Sequence, residues 1–115
     1  MCRIIYWKKP AVSALKINSD GSHRDGSSGG GGVIRCSHGI TIMAYSIPFE
    51  EVSSNVVEAK ALLFGIQWSI QNGTSSLELE TDSMLLVAWV RDVFKIPWQV
   101  DVTIREIKRA LVGTS

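Results

Sequence analysis

Three carboxylates in this chain have types and spacings that could do chemistry. They are Asp20 in Leu15-Lys-Ile-Asn-Ser-Asp-Gly-Ser22, Glu58 in Ser54-Asn-Val-Val-Glu-Ala59 and Asp82 in Leu79-Glu-Thr-Asp-Ser83. Oxygen-only ligands suit Mg²⁺, which takes a few carboxylates together with substrate phosphates and waters, whereas histidine and cysteine would signal zinc. Such a set fits phosphodiester chemistry. Each acid also has an ordinary structural explanation: Asp20 as a turn residue, Glu58 as the partner in a capping box begun by Asn55, and Asp82 as a helix N-cap. Singly, those roles are the commoner ones. Two acids at strand ends and one in a first helical turn can nevertheless share one edge of an α/β layer, and the combination favours a metal site.

The other reactive types form no comparable pattern. His23 and His38 have no serine or cysteine partner in a readable arrangement, which points to the surface. Gly29 to Gly32 lead into a strand, with no Gly-Lys-Ser/Thr and no helix start behind them, so a phosphate cradle is disfavoured. Three of the four tryptophans, Trp68, Trp89 and Trp98, sit in apolar patterns and read as core. Cys2 and Cys36 make neither a disulfide framework nor a zinc motif, so no disulfide partner is expected and a reducing compartment is.

Bulk composition sets the frame for these residues. The 115-residue chain is 45% apolar and 20% charged, enough for one compact domain and too apolar for disorder. A net charge of +1 gives no broad basic field, so any nucleic-acid contact must be local. No apolar run approaches the roughly 20 residues that span a bilayer, and there is no secretory segment before Lys8 and Lys9. The expectation is a protein inside the cell with no membrane partner.

The elements that must position the acids follow from periodicity. Residues 1–13 read as a linker or N-terminal extension, and 14–112 as the domain. Leu15, Ile17 and Ser19 alternate with Lys16, Asn18 and Asp20, a strand expected to stop at Asp20. The stretch from Asp20 to Gly32 has six glycines in 13 residues and reads as a mobile loop. Val33 to Cys36 and Ile40 to Ser46 form a hairpin about Ser37-His-Gly39, ended by Pro48. A helix capped by Ser53-Ser-Asn55 carries two apolar stripes and closes at Asn72-Gly73. Ser76 to Asp82 alternates as a fourth strand, parallel to the first by a right-handed crossover. A short helix from Met84 to about Phe94 and an amphipathic one from near Asp101 to Gly113 follow, the latter expected on the sheet. The fold class is therefore α/β, a mixed sheet of three antiparallel strands and one parallel strand with flanking helices.

The order of Asp-Gly-Ser strand, Gly31-Gly-Val-Ile-Arg35, Ser-Asn-x-x-Glu-Ala helix, Ala61-Leu-Leu-Phe-Gly65 and Thr-Asp-Ser resembles the ribonuclease H type 1 family, in particular plant domains related to non-LTR retrotransposon reverse transcriptases. Trp7-Lys-Lys-Pro10 is similar to the lead-in of those domains. The resemblance implies a Mg²⁺-dependent endonuclease, with Mn²⁺ as a substitute, that cuts the RNA strand of RNA/DNA hybrids. By the same resemblance Asp20, Glu58 and Asp82 hold two metal ions, one activating water and the other stabilising the leaving oxygen. Gly21, Ser22 and Asn55 would approach the hybrid.

The family also has a fifth strand, a further helix and a fourth acid, for which this sequence shows no match, so the domain is expected to be C-terminally truncated. A truncated sheet would leave Ser76 to Asp82 with an unpaired edge and a route to self-association. The alternative reading is an inactive retroelement-derived relic that binds nucleic acid or a partner.

Overall fold

The computed structural model describes residues 3–7, 14–24, 27–49, 54–74, 76–81, 83–91, 96 and 98–112. The elements in chain order are β1 (Arg3–Trp7), β2 (Leu15–Arg24), β3 (Ser27–Cys36), β4 (Thr41–Phe49), α1 (Ser54–Gln71), β5 (Leu77–Thr81), α2 (Met84–Val90) and α3 (Trp98–Val112). One sheet runs in the order β1-β5-β2-β3-β4. Strands β2, β3 and β4 are antiparallel neighbours, and β5 is parallel to β2 with Ile17 opposite Leu79. The expected four strands and their pairing are thus present.

Alternation decides which sheet face is covered. Ile17, Ile34, Leu77 and Leu79 are buried in one apolar core, while Lys16, Asn18, Glu78 and Glu80, one residue out of step, are only half-buried. Helix α1 is apolar on two sides because it has two partners: it lies on β2 and β3 and is itself covered by α3. Its end is closed by Gly73, which at φ +85° takes the left-handed conformation and donates its N–H to the Ile70 carbonyl.

Several expectations are corrected. Strand β2 does not stop at Asp20 but continues to Arg24, and the glycine run is a paired strand rather than a loop, with Asp20 opposite Gly31 and Ser22 opposite Gly29. These glycines serve close packing. A Cβ on Gly32 would stand 2.5 Å from the Tyr45 hydroxyl oxygen, and one on Gly31 would stand 2.7 Å from the Tyr45 carbonyl oxygen. Pro48 lies inside β4, opposite Gly29, which is tolerable because β4 is an edge strand.

The largest correction concerns the N-terminal residues. Arg3–Trp7, expected in a linker, pairs antiparallel with β5 from Arg3 opposite Thr81 to Trp7 opposite Leu77. The edge expected to be free is therefore closed, and the self-association drawn from it loses its basis. Helix α2 ends sooner than expected, with Arg91 as its C-cap, and Phe94 lies outside the described residues. Helix α3 packs on α1 and α2 rather than directly on the sheet. Trp89 is buried as expected, but Trp98 is 82% exposed. No helix among the described residues is long and apolar enough to cross a membrane.

Candidate functional site

Asp20 is exposed and shares the face of β2 carried by Lys16 and Asn18, because Ile17 and Ser19 turn to the buried side. Gly21 and Ser22 continue the same strand, opposite Gly30 and Gly29. Glu58, half-exposed, and Asn55, half-buried, lie in the first turns of α1. Asp82 follows Thr81, whose Cα partner on β2 is Ser19, but it lies outside the described residues. The elements carrying the first two acids are thus in direct contact, and the strand leading into the third is paired with β2. Among the described residues, which exclude Asp82, no three His, Cys, Asp or Glu side chains gather into a group that could hold a metal.

The ordinary structural explanations for the acids weaken in this fold. Asp20 is a mid-strand residue rather than a turn residue, and aspartate is depleted in strands. The cap of α2 is Ser83, whose Oγ accepts the Leu86 N–H at 3.0 Å, so capping does not account for Asp82. Helix α1 already begins at Ser54, which places Asn55 inside it rather than at the cap of a box with Glu58.

Beside Asp20 the same sheet face carries charged residues that sequence reasoning missed. Lys16 Nζ lies 3.0 Å from Glu80 Oε2 and 3.9 Å from Glu78, and Asn18 Nδ2 donates to Glu80 Oε1 at 2.9 Å. The hydrogen bond to Glu80, helped by the charges of Glu80 and Glu78, holds the Lys16 ammonium above its usual pKa. Glu80 is thereby committed to a strand-to-strand tie. The signal was present in the alternation of Lys16 and Asn18 against Glu78 and Glu80, but it became readable only with the β2/β5 register.

The sheet order, the parallel β2/β5 pair and the long helix packed across β2 and β3 define a ribonuclease H fold. The chain aligns with the ribonuclease H1 of the archaeon Halobacterium salinarum at a TM-score of 0.82 and 17% identity, covering 88% of this chain and 79% of that one. It also aligns with LC11-RNase H1 in complex with an RNA/DNA hybrid at a TM-score of 0.77 and 24% identity, covering 86% and 77%. Residues 18–112 match the Reverse transcriptase-like family, and the chain belongs to that family. A putative ribonuclease H protein of Arabidopsis thaliana is 29% identical over 91 residues, 77% of this chain. The chain spans about 15% of the length of that curated relative.

Proposed function

We propose that this domain cleaves the RNA strand of RNA/DNA hybrids, with Asp20, Glu58 and Asp82 holding Mg²⁺, or Mn²⁺ in its place, and Gly21, Ser22 and Asn55 against the hybrid. The observation that carries the reading is Asp20 itself, an exposed acid kept in the middle of a central strand where no turn or cap calls for it. The donor set fits the ion, since carboxylate oxygens are what Mg²⁺ prefers. When bound, the metal would supply Lewis-acid stabilisation and an activated water. The chain's own part is to hold Asp20 on a central strand between α1, which carries Glu58, and β5, which leads into Asp82, and to present backbone at Gly21 and Ser22, where glycines on β3 leave room. Support also comes from relatives and structural neighbours that are ribonucleases H by name.

The test is cleavage of an end-labelled hybrid with and without EDTA. Asp20→Asn keeps size and loses charge, and it should slow cleavage by on the order of 100-fold, the effect of about 3 kcal/mol of lost transition-state stabilisation. Asp101→Asn removes the same charge from α3, where the carboxylate meets Arg105 at 2.9 Å, and should change cleavage little. Equal loss in both variants, or cleavage indifferent to EDTA, would refute the assignment. Hybrid binding without cleavage would leave the binding-module reading.

A further inference from the structure

On the sheet face that carries Asp20, both oxygens of the Glu80 carboxylate are held by side chains of β2. The Lys16 ammonium lies 3.0 Å from Oε2, and the Asn18 amide donates to Oε1 at 2.9 Å. Hydrogen bonds to an ionised group are about twice as strong as neutral ones. These are also sheltered, since the Glu80 side chain is only 13% exposed. Asn18 and Glu80 are Cα partners, and one pair further on Ser19 and Thr81 end the parallel ladder with both side chains buried. That last pair is not fastened by its side chains. Among the described residues Ser19 Oγ has no hydrogen-bond partner, and Thr81 Oγ1 accepts the N–H of Ser83 at 3.3 Å. The fastening at Glu80 thus stands one pair short of where β2 goes on to Asp20 and β5 runs out into Asp82.

We propose that Glu80 is a positioning residue for the metal site: through Lys16 and Asn18 it fixes how β2 and β5 lie along one another, and thereby the separation of the Asp20 and Asp82 carboxylates. The inference rests on the function proposed above and adds side chains that need touch neither metal nor hybrid. Asp20 is two residues beyond Asn18 on the same face of β2, about 7 Å along the strand. Asp82 is two residues beyond Glu80 in the chain. Parallel pairing is slightly weaker per residue than antiparallel, and this ladder has five pairs, so the backbone alone is a modest restraint on slippage. Mg²⁺ demands a near-ideal octahedron of oxygens at about 2.0–2.1 Å, and a small slip between the two strands is therefore felt in its affinity.

The test is binding of Mn²⁺ to the full chain without nucleic acid, read from the free-ion signal in electron paramagnetic resonance, beside the melting midpoint of each variant without metal. Asn18→Ala removes one leg of the tie with no change of charge. It should weaken binding roughly tenfold, the loss common when a group that orients metal ligands is removed. Lys16→Gln decides between geometry and charge: losing a cation from this face would by Coulomb attraction alone tighten Mn²⁺ binding, whereas losing the tie should weaken it. Glu78→Gln removes a negative charge four residues short of Asp82, beyond a Debye length of about 8 Å at physiological salt, and should change binding little. Unchanged binding in Asn18→Ala, or tighter binding in Lys16→Gln, would overturn the inference even if both variants melt lower, since the tie would then serve stability alone. Asp20→Asn separates the two readings. If it abolishes binding while the Asn18 and Lys16 variants bind as the wild-type chain does, only this inference falls. A wild-type chain that takes up no Mn²⁺, or an Asp20→Asn variant that binds it normally, would overturn the proposed metal site as well.

Discussion

Tyr45 does several jobs with one ring. Its hydroxyl donates to the Ala61 carbonyl at 2.7 Å, tying β4 to α1, and the ring lies 4.7 Å from that of Phe64. The same ring is what forbids a side chain at Gly32. Gly32→Ala is therefore expected to cost about 2–3 kcal/mol, since both the tyrosine and the Asn18 carbonyl, 2.9 Å from the new Cβ, would have to move. Tyr45→Phe keeps the packing and loses the hydrogen bond, at about 1 kcal/mol. Burial pushes the Tyr45 phenol up to about 12, against an opposing effect of the Gly65 backbone. A raised pKa means that the fold favours the protonated phenol. Its contribution is complete below the ordinary value of 10.0 and is lost as pH rises through about 12. Urea midpoints measured across that range should fall in the wild-type chain and fall less in Tyr45→Phe; equal falls would remove Tyr45 as the cause.

Among the elements, β1 is the one whose role turns most on the sheet. Trp7 and Leu15 both face Leu77, from opposite sides of β5, so the chain between them must cross two strand spacings, about 10 Å. The seven intervening residues can reach about 25 Å, so the connection is easily made within one chain. β1 covers backbone groups of β5 that would otherwise be an open template. A variant with Ile4→Pro and Ile5→Pro tests its weight. Adjacent N–H groups point to opposite sides of a strand, so one of the two prolines must remove a donor facing β5. The melting midpoint should drop by on the order of 10 °C. An unchanged midpoint, with unchanged hydrogen exchange of the β5 amides, would show that β1 adds nothing to the sheet.

At the scale of the molecule, the described helices cover one sheet face and leave the other to polar side chains. Helix α1 and the helices beside it seal the side of Ile17 and Leu79, and chemistry and charge are left to the other side and to the ends of the strands. If Asp20, Glu58 and Asp82 share a cation as proposed, their carboxylates repel without it, and a cation that relieves them binds the folded state alone. Mg²⁺ or Mn²⁺ is thus expected to raise the melting temperature of the whole chain by a few degrees at millimolar concentration. Asp82→Asn should abolish most of that rise. If the rise survives intact, Asp82 does not belong to the metal site.

The sequence by itself determined the order of β2, the hairpin, α1, β5 and the last two helices, because each has a hydrophobic period that only one kind of element satisfies. It also singled out Asp20, Glu58 and Asp82, since acids stand out against the apolar alternation around them. Tertiary structure decided what local pattern could not. Gly29 to Gly32 have no side chain to show a period, and they are extended because Tyr45 and the neighbouring backbones close over them. Arg3–Trp7 is a strand because β5 offers an edge, a fact about another part of the chain. The ties of Lys16 and Asn18 to Glu80 arise from register, which sets residues 62 or more positions apart side by side and which no single stretch of sequence contains.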